Sequence, residues 1–312
     1  MKKKLIFLLL LFISFIAIQV CGYLFIYTYS PTGLTRIIHI RDTDRIYSKP
    51  DGGMFIRQGL KKQIKAIVIK DIGVDKIEQT VREEDHEILR NWVNKNFQYF
   101  IDHEDTESDF FHIIKLLGIK KPYNCGDFAK IYIAVNSSFN IPSRYISLRT
   151  IINGQVGTHA TVEFFSDRFK KWYVQDPTFN VYFAYNDTPL SALEIRKLLT
   201  DNEKIKIRMY KNKNTLVNKI EYDVEPPYLF SQDIYIYNSN AVAIMDLPKI
   251  VRTGRRIIDR YRPSGARAYS LNSNSDKYSV FSIVNYYVFY INPLVIICLF
   301  LLLLQKIWKL RV

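Results

Sequence analysis

Cysteine is scarce in this chain, and that excludes a domain stapled by its own disulfides. Only three occur among 312 residues. Cys21 and Cys298 lie in apolar runs near the two ends, so Cys125 is alone in the long middle. A leftover thiol outside a reducing compartment is a liability unless it is buried or used. There is no Gly-rich phosphate loop and no calcium-loop pattern. Nothing in the spacing of the five histidines and the acids suggests a metal site. No metal and no cofactor are therefore expected. Nor is there a nucleic-acid motif, a repeat at a fixed period or a low-complexity tract.

What is present at the ends is apolar. Lys2, Lys3 and Lys4 precede an almost unbroken apolar run over residues 5–27. A second run over 280–304 is followed by Lys306, Lys309 and Arg311. A bilayer core needs about 20 apolar residues as helix, so both runs read as transmembrane helices. The first is long for the apolar stretch of a signal peptide, and no small-residue cleavage site stands out. A lipid anchor at Cys21 fits poorly, because Val20 precedes it and the chain stays apolar beyond it. Basic residues flank both runs, which places both termini in the cytoplasm and residues 30–278 outside it, at the plasma (inner) membrane. Neither run holds a charged residue, so the pair makes a poor transport pathway.

The formal net charge is +14. Six of those charges sit in the two flanks, leaving about +8 for the middle. An anionic envelope component is a candidate partner for that surface, and nucleic acid is not.

Residues 30–83 read as a β-rich segment: "LTRIIHI", with His39, and "QIKAIVIKD" are rich in β-branched residues, and "KPDGG" between them is turn chemistry. From 84 the period becomes helical. Ile88, Leu89, Trp92, Val93, Phe97 and Phe100 fit one face, and the acids of 83–87 read as a solvated helix start. A short helix over 109–117 should stop at Gly118. His86, His103 and His112 fall on polar stretches. After Cys125, Phe128, Ile131, Tyr132 and Val135 predict an amphipathic helix of about three turns. Strands follow in "RYISL", "THATVEFF" and "KKWYVQD". Residues 201–248 read as a β-rich extension, and 249–278 as a basic juxtamembrane connector.

With Asn124 as cap and Asp127 in the acidic first turn, Cys125 becomes the first residue of its helix. The dipole and the free N–H groups there favour a thiolate, the reactive form. A free cysteine is more often a small core residue, so a base matters. Pairing Phe165 with Lys170 around a loop "SDRF" sets Glu163 opposite Trp172, Thr161 opposite Val174 and His159 opposite Asp176. Directly opposed residues share a face. An imidazole beside a carboxylate is what a nucleophilic thiol needs: the ring takes its proton and the carboxylate orients the ring.

"NCGDFAKIYIAVNSSFNIPSRYISL", "GTHATVEFF" and "KKWYVQDPTF", in that order, resemble the transglutaminase-like superfamily, a papain-related cysteine fold, in its bacterial membrane-anchored form. The family pattern has Cys at a helix start, a GIPAR-like turn, His opening a strand and DPT ending the next. Asn140 and Ser143 depart from that turn, and Thr161 stands where tryptophan is frequent. The resemblance spans roughly 85–185. It implies an α+β fold: a transglutaminase-like core over 84–200, with the helix-borne cysteine packed on an antiparallel sheet, between two transmembrane helices. It implies Cys125 as nucleophile, His159 as base and Asp176 as orienting acid. The expected activity is amide acyl transfer on a protein or peptide substrate, with hydrolysis favoured over transamidation. The rival expectation is an inactive module of the same fold that binds peptide or glycan in a cell-envelope assembly.

Overall fold

The computed structural model describes residues 2–29, 36–39, 58–77, 87–99, 122–152, 155–200, 207–212, 215–217, 226–237, 254, 267–271 and 287–311. These fall into two units, one built from the chain ends and one from residues 38–273.

The unit of the chain ends pairs two helices. Helix α1 spans Lys2–Tyr29, and its stretch Ile6–Leu24 is long and apolar enough to cross a membrane. The C-terminal run does not reach that length among the described residues. It begins with a π turn, Tyr287–Ile291, and its α-helical part, Asn292–Arg311, is apolar only as far as Trp308. Among the described residues the expected second span is thus corrected to a shorter apolar helix. Polar groups join the two helices. Gln19 Nε2 donates to the Val288 carbonyl at 2.8 Å, and Asn292 Nδ2 donates to Gln19 Oε1 at 2.6 Å and to the Phe15 carbonyl at 3.0 Å. In an apolar layer such amides need each other.

In the larger unit, alternating apolar residues build one antiparallel sheet. Its strands are β4 (Ser143–Ile152), β5 (Gln155–Ser166), β6 (Lys171–Asp176), β7 (Val181–Tyr185), β9 (Arg208–Asn212), β10 (Thr215–Val217), β11 (Asp233–Tyr237) and β12 (Arg267–Leu271). They lie in the order β12-β11-β4-β5-β6-β7-β9-β10, and the two-residue β8 (Thr188–Pro189) pairs with β7. Every residue from His159 to Ser166 is buried, so both faces of β5 are covered. Ile146, Leu148, Val174, Val181, Phe183, Ile234 and Ile236 form a core with the helix Ala192–Thr200 and with the 3₁₀ turn Pro226–Phe230. One buried ion pair crosses β4 and β5. The Arg144 guanidinium reaches Glu163 Oε2 through Nε at 2.7 Å and Nη2 at 2.6 Å and lies over the Trp172 ring at 4.1 Å. Glu163 Oε1 accepts from the Ala192 amide at 2.6 Å, which ties that helix start to the sheet.

Helices also precede or abut the sheet. Helix α2 spans Gln58–Ile72, α3 spans Glu87–Asn96 and α4 spans Cys125–Ser138. The strand expected in "QIKAIVIKD" is therefore a helix. Ile64 and Val68, one helical turn apart, are its buried residues, and that spacing outweighs the β-branched composition. Among the α3 residues, Leu89, Trp92 and Val93 are buried as the period predicts, and Phe97 is buried just beyond the helix. Glu87 is also buried, not solvated, and its charge bears on Arg90. Trp92 Nε1 donates to Asp71 Oδ2 at 3.0 Å, joining α3 to α2. The Phe97 ring meets Tyr123 and Phe128 edge-on, joining α3 to the start of α4. His39 lies in a short strand, β1 (Arg36–His39). The stretch read as a connector contributes β12, which pairs with β11 along Ile234–Tyr237. His86, Phe100, His103, "KPDGG" and the helix expected over 109–117 lie outside the described residues.

Candidate active site

Helix α4 begins where the sequence says it should. Asn124 is extended (φ −85°, ψ 172°), its Oδ1 accepts from the Asp127 amide at 2.9 Å, and Asp127 Oδ2 accepts from the Asn124 amide at 3.4 Å. This reciprocal capping box makes Cys125 the first residue of the helix. Cys125 is partly exposed, whereas Phe128, Ile131, Tyr132 and Val135 behind it are buried. The Tyr132 hydroxyl donates to Gln175 Oε1 at 2.6 Å, which anchors the helix to β6. Gly126 follows the thiol. A Cβ there would lie 3.1 Å from Asn124 Oδ1 and 3.2 Å from the Tyr145 hydroxyl, so glycine lets β4 approach the first turn closely.

The hairpin that carries His159 and Asp176 has a register different from the expected one. Ser166 pairs with Lys171, Phe165 with Trp172 and Glu163 with Val174, around the loop 167–170. Lys170, expected in a ladder pair, instead takes a left-handed conformation (φ 52°) in the turn, and Ser166 Oγ accepts from the Phe169 amide at 3.0 Å. The loop moves by one residue and the pairing by two, which preserves every face. Asp176 then falls across from Thr161, and His159 is its diagonal neighbour on the same face. The side chains close that diagonal: His159 Nε2 and Asp176 Oδ2 are 2.6 Å apart, with both side chains 1% exposed.

Both members of the pair are held from outside it. Asp176 Oδ1 accepts from the Thr178 amide at 2.9 Å and the Phe179 amide at 3.0 Å. The Phe179 ring stacks on the imidazole at 4.8 Å between centroids, with 23° between planes. With Nε2 engaged by Asp176, Nδ1 is left for the thiol; it is buried, and no described group gives it a hydrogen bond of close geometry. Resting contacts of this kind are commonly loose and tighten with substrate. Burial disfavours a charged ring, but the Asp176 charge, the Asp176 hydrogen bond and the interaction with Cys125 outweigh it and push the His159 pKa up to about 10. The ring is thus held protonated at neutral pH, between a carboxylate and a sulfur.

The three residues singled out in the sequence therefore meet: Cys125 bears on His159, and His159 on Asp176. His39 plays no described part in this group. Among the described residues no cluster of His, Cys, Asp and Glu could hold a metal ion. Sequence reasoning missed the parts around the pair. Phe179 follows the DPT signature by one residue and carried a local signal as an aromatic beside a turn. Asn94 and Arg90, which grip that turn, are over 80 positions away from it in the chain and carried none.

Residues 74–177 match the family model of the transglutaminase-like superfamily. The matched segment holds Cys125, His159 and Asp176, and it is a transglutaminase-like domain with an antiparallel sheet. A solved structure of a proposed cysteine protease from Cytophaga hutchinsonii is similar at 19% identity, over 38% of this chain and 37% of that one, with a TM-score of 0.28. No curated protein matches the chain.

Proposed function

We propose that this protein is a cysteine enzyme that cleaves amide bonds through a thioester, with Cys125 as nucleophile, His159 as acid and base, and Asp176 as the orienting carboxylate. The observation that carries this reading is the sealed 2.6 Å contact between His159 and Asp176, with a partly exposed thiol, Cys125, that also bears on the ring. Cys125 Sγ, its proton already on His159, adds to the carbonyl carbon of a peptide or protein substrate, and the carbonyl oxygen takes the negative charge. The Cys125 amide, at the start of α4, has no intrahelical partner and suits that oxygen. The tetrahedral species collapses with loss of the amine, which leaves with the proton of His159. The neutral ring then takes a proton from water as its oxygen attacks the thioester, releasing the acid and restoring the sulfur anion beside the protonated ring. A lysine amine in place of water would give a crosslink, since the triad serves both. Hydrolysis is favoured because water is always present.

The N-terminal helix serves as a membrane anchor in this reading, with Lys2, Lys3 and Lys4 on the cytoplasmic side of a plasma (inner) membrane and the catalytic domain outside it. An anionic envelope component would suit the basic surface. The test is labelling of Cys125 by a thiol-directed probe near neutral pH. Fast labelling in wild type, lost in Cys125→Ala and suppressed in His159→Ala, supports the enzyme. Equal labelling of wild type and His159→Ala would favour a binding module that has the fold without the chemistry.

A further inference from the structure

Helix α3 reaches the turn that follows Asp176. Asn94 Nδ2 donates to the Pro177 carbonyl at 3.0 Å and to the Thr178 carbonyl at 3.1 Å. One turn earlier, Arg90 Nε donates to Asn180 Oδ1 at 3.1 Å, and its Nη2 donates to the Lys211 carbonyl. The turn gripped in this way is the one that follows Asp176. Its outward carbonyls go to Asn94, its inward amides of Thr178 and Phe179 go to Asp176 Oδ1, and its Phe179 ring covers His159. Asn180 sits in it at φ 56°, a conformation costly for most side chains and tolerated by asparagine. The same helix is joined to the nucleophile's helix through Phe97 and Phe128. One short helix thus bears on both halves of the site.

We propose that Asn94 is a positioning residue: by clamping the turn 177–180 it sets the orientation of Asp176, and through Asp176 the orientation and charge of the His159 ring. This rests on the reading of His159 and Asp176 as a working pair, and it adds a residue that touches neither substrate nor thiol. The physical basis is a division of labour between the two sides of one turn. An amide in a turn can aim at a carboxylate only if the peptide plane is held, and the carbonyl on the opposite side of that plane is the natural handle. Asn94 holds two such handles: the Pro177 carbonyl shares its peptide plane with the Thr178 N–H, the Thr178 carbonyl shares its plane with the Phe179 N–H, and both N–H groups donate to Asp176 Oδ1. Without it, the Asp176 carboxylate would swing and Phe179 would lift from the ring. Asn94 also suits a test better than Arg90. Arg90 is fully buried, so its loss would threaten the fold, whereas Asn94 is only partly buried on a helix where alanine is a favourable substitute.

The titratable groups that bear on His159 are Asp176 from β6 and Cys125 from α4; Phe179, from the turn, is uncharged. In a Cys125→Ala background the ring therefore reports Asp176 alone. The experiment uses the full chain in detergent micelles with ¹⁵N-labelled histidine, the His159 signal being assigned through His159→Gln. Its titration is followed in Cys125→Ala, and then with Asn94→Ala, Asn94→Ser or Asn94→Gln added, while circular dichroism and melting monitor the fold. The expected result is a titration of His159 about one pH unit or more lower in Asn94→Ala and Asn94→Ser, partly restored in Asn94→Gln, which keeps a side-chain N–H donor. In the thiol-containing protein, Asn94→Ala should label about tenfold more slowly at neutral pH. A folded Asn94→Ala or Asn94→Ser variant in which His159 titrates as in its parent overturns the proposal. Should wild-type labelling prove independent of His159, the enzymatic reading fails, and the histidine titration still decides whether Asn94 sets the pair.

Discussion

His159 Nε2 lies 2.6 Å from Asp176 Oδ2 in surroundings closed to solvent. Such a pair is costly to bury and costlier to break, because the survivor is left charged or unsatisfied. The carboxylate also fixes which nitrogen of the ring faces Cys125. Asp176→Asn keeps the shape and removes the charge. We expect it to leave the protein folded, to lower the His159 pKa and to reduce thiol-dependent turnover on the order of 10³-fold. Comparing Asp176→Asn with Asp176→Ala in the same labelling assay checks this. Near-normal labelling of Asp176→Asn would mean that the carboxylate only fills space.

The pH dependence follows from the same contact. His159 titrates near 6.5 when unfolded and at about 10 when folded, so the native state holds an extra proton between those values. Its contribution to stability is complete below about pH 6.5 and fades as pH rises through about 10. Melting temperatures of wild type and His159→Gln measured across this range should converge at the alkaline end. Turnover should also fall through about pH 10, where the ring no longer carries the proton it gives to the departing amine. A wild-type advantage in melting temperature that grows with pH would contradict the assignment.

The Arg144–Glu163 pair serves the fold, with Glu163 on the same strand as His159, β5, and Arg144 across from it on β4. Both side chains are nearly closed to solvent, the guanidinium makes two contacts to one carboxylate oxygen, and the other oxygen caps the helix that starts at Ala192. Removing the arginine strands a buried carboxylate. We expect Arg144→Met to cost about 3–5 kcal/mol. Denaturant unfolding followed by tryptophan fluorescence would measure it, since Trp172 lies under the guanidinium. The folded fraction of the variant should retain fast Cys125 labelling, because the pair ties β4 to β5 and to the helix start at Ala192.

Much of the site could be read from the sequence because its signals are local. Asn124, Cys125 and Asp127 occupy three places in one capping box. The placement of His159 and Asp176 on one face survived an error in the loop, since a shift of the pairing by two residues leaves alternation intact. What failed was decided by packing. "QIKAIVIKD" has strand composition, yet Ile64 and Val68 have a helical burial pattern, and α2 is fixed to α3 through Asp71 and Trp92. The basic stretch near Arg267 read as connector because it is polar, whereas β11 offered its edge to it. The clamp by Asn94 depends on residues more than 80 positions apart, and no periodicity reports that.

The capping box gives the last prediction, because it joins stability to reactivity at one residue. Asn124 Oδ1 satisfies the Asp127 amide, and Asp127 in return satisfies the amide of Asn124. Losing the cap should cost about 1 kcal/mol in Asn124→Ala, and Asn124→Ser, whose hydroxyl can still accept, should recover most of it. If the cap only stabilised the helix, Cys125 labelling would track the folded fraction. Because Cys125 is the next residue, fraying of the first turn should also misdirect its side chain and disperse the N–H groups aimed at the oxyanion. Asn124→Ala is therefore expected to label Cys125 several-fold more slowly per folded molecule, with Asn124→Ser near wild type. Melting curves taken beside labelling rates separate the two effects, and equal per-molecule rates in all three proteins would reduce the cap to a purely structural part.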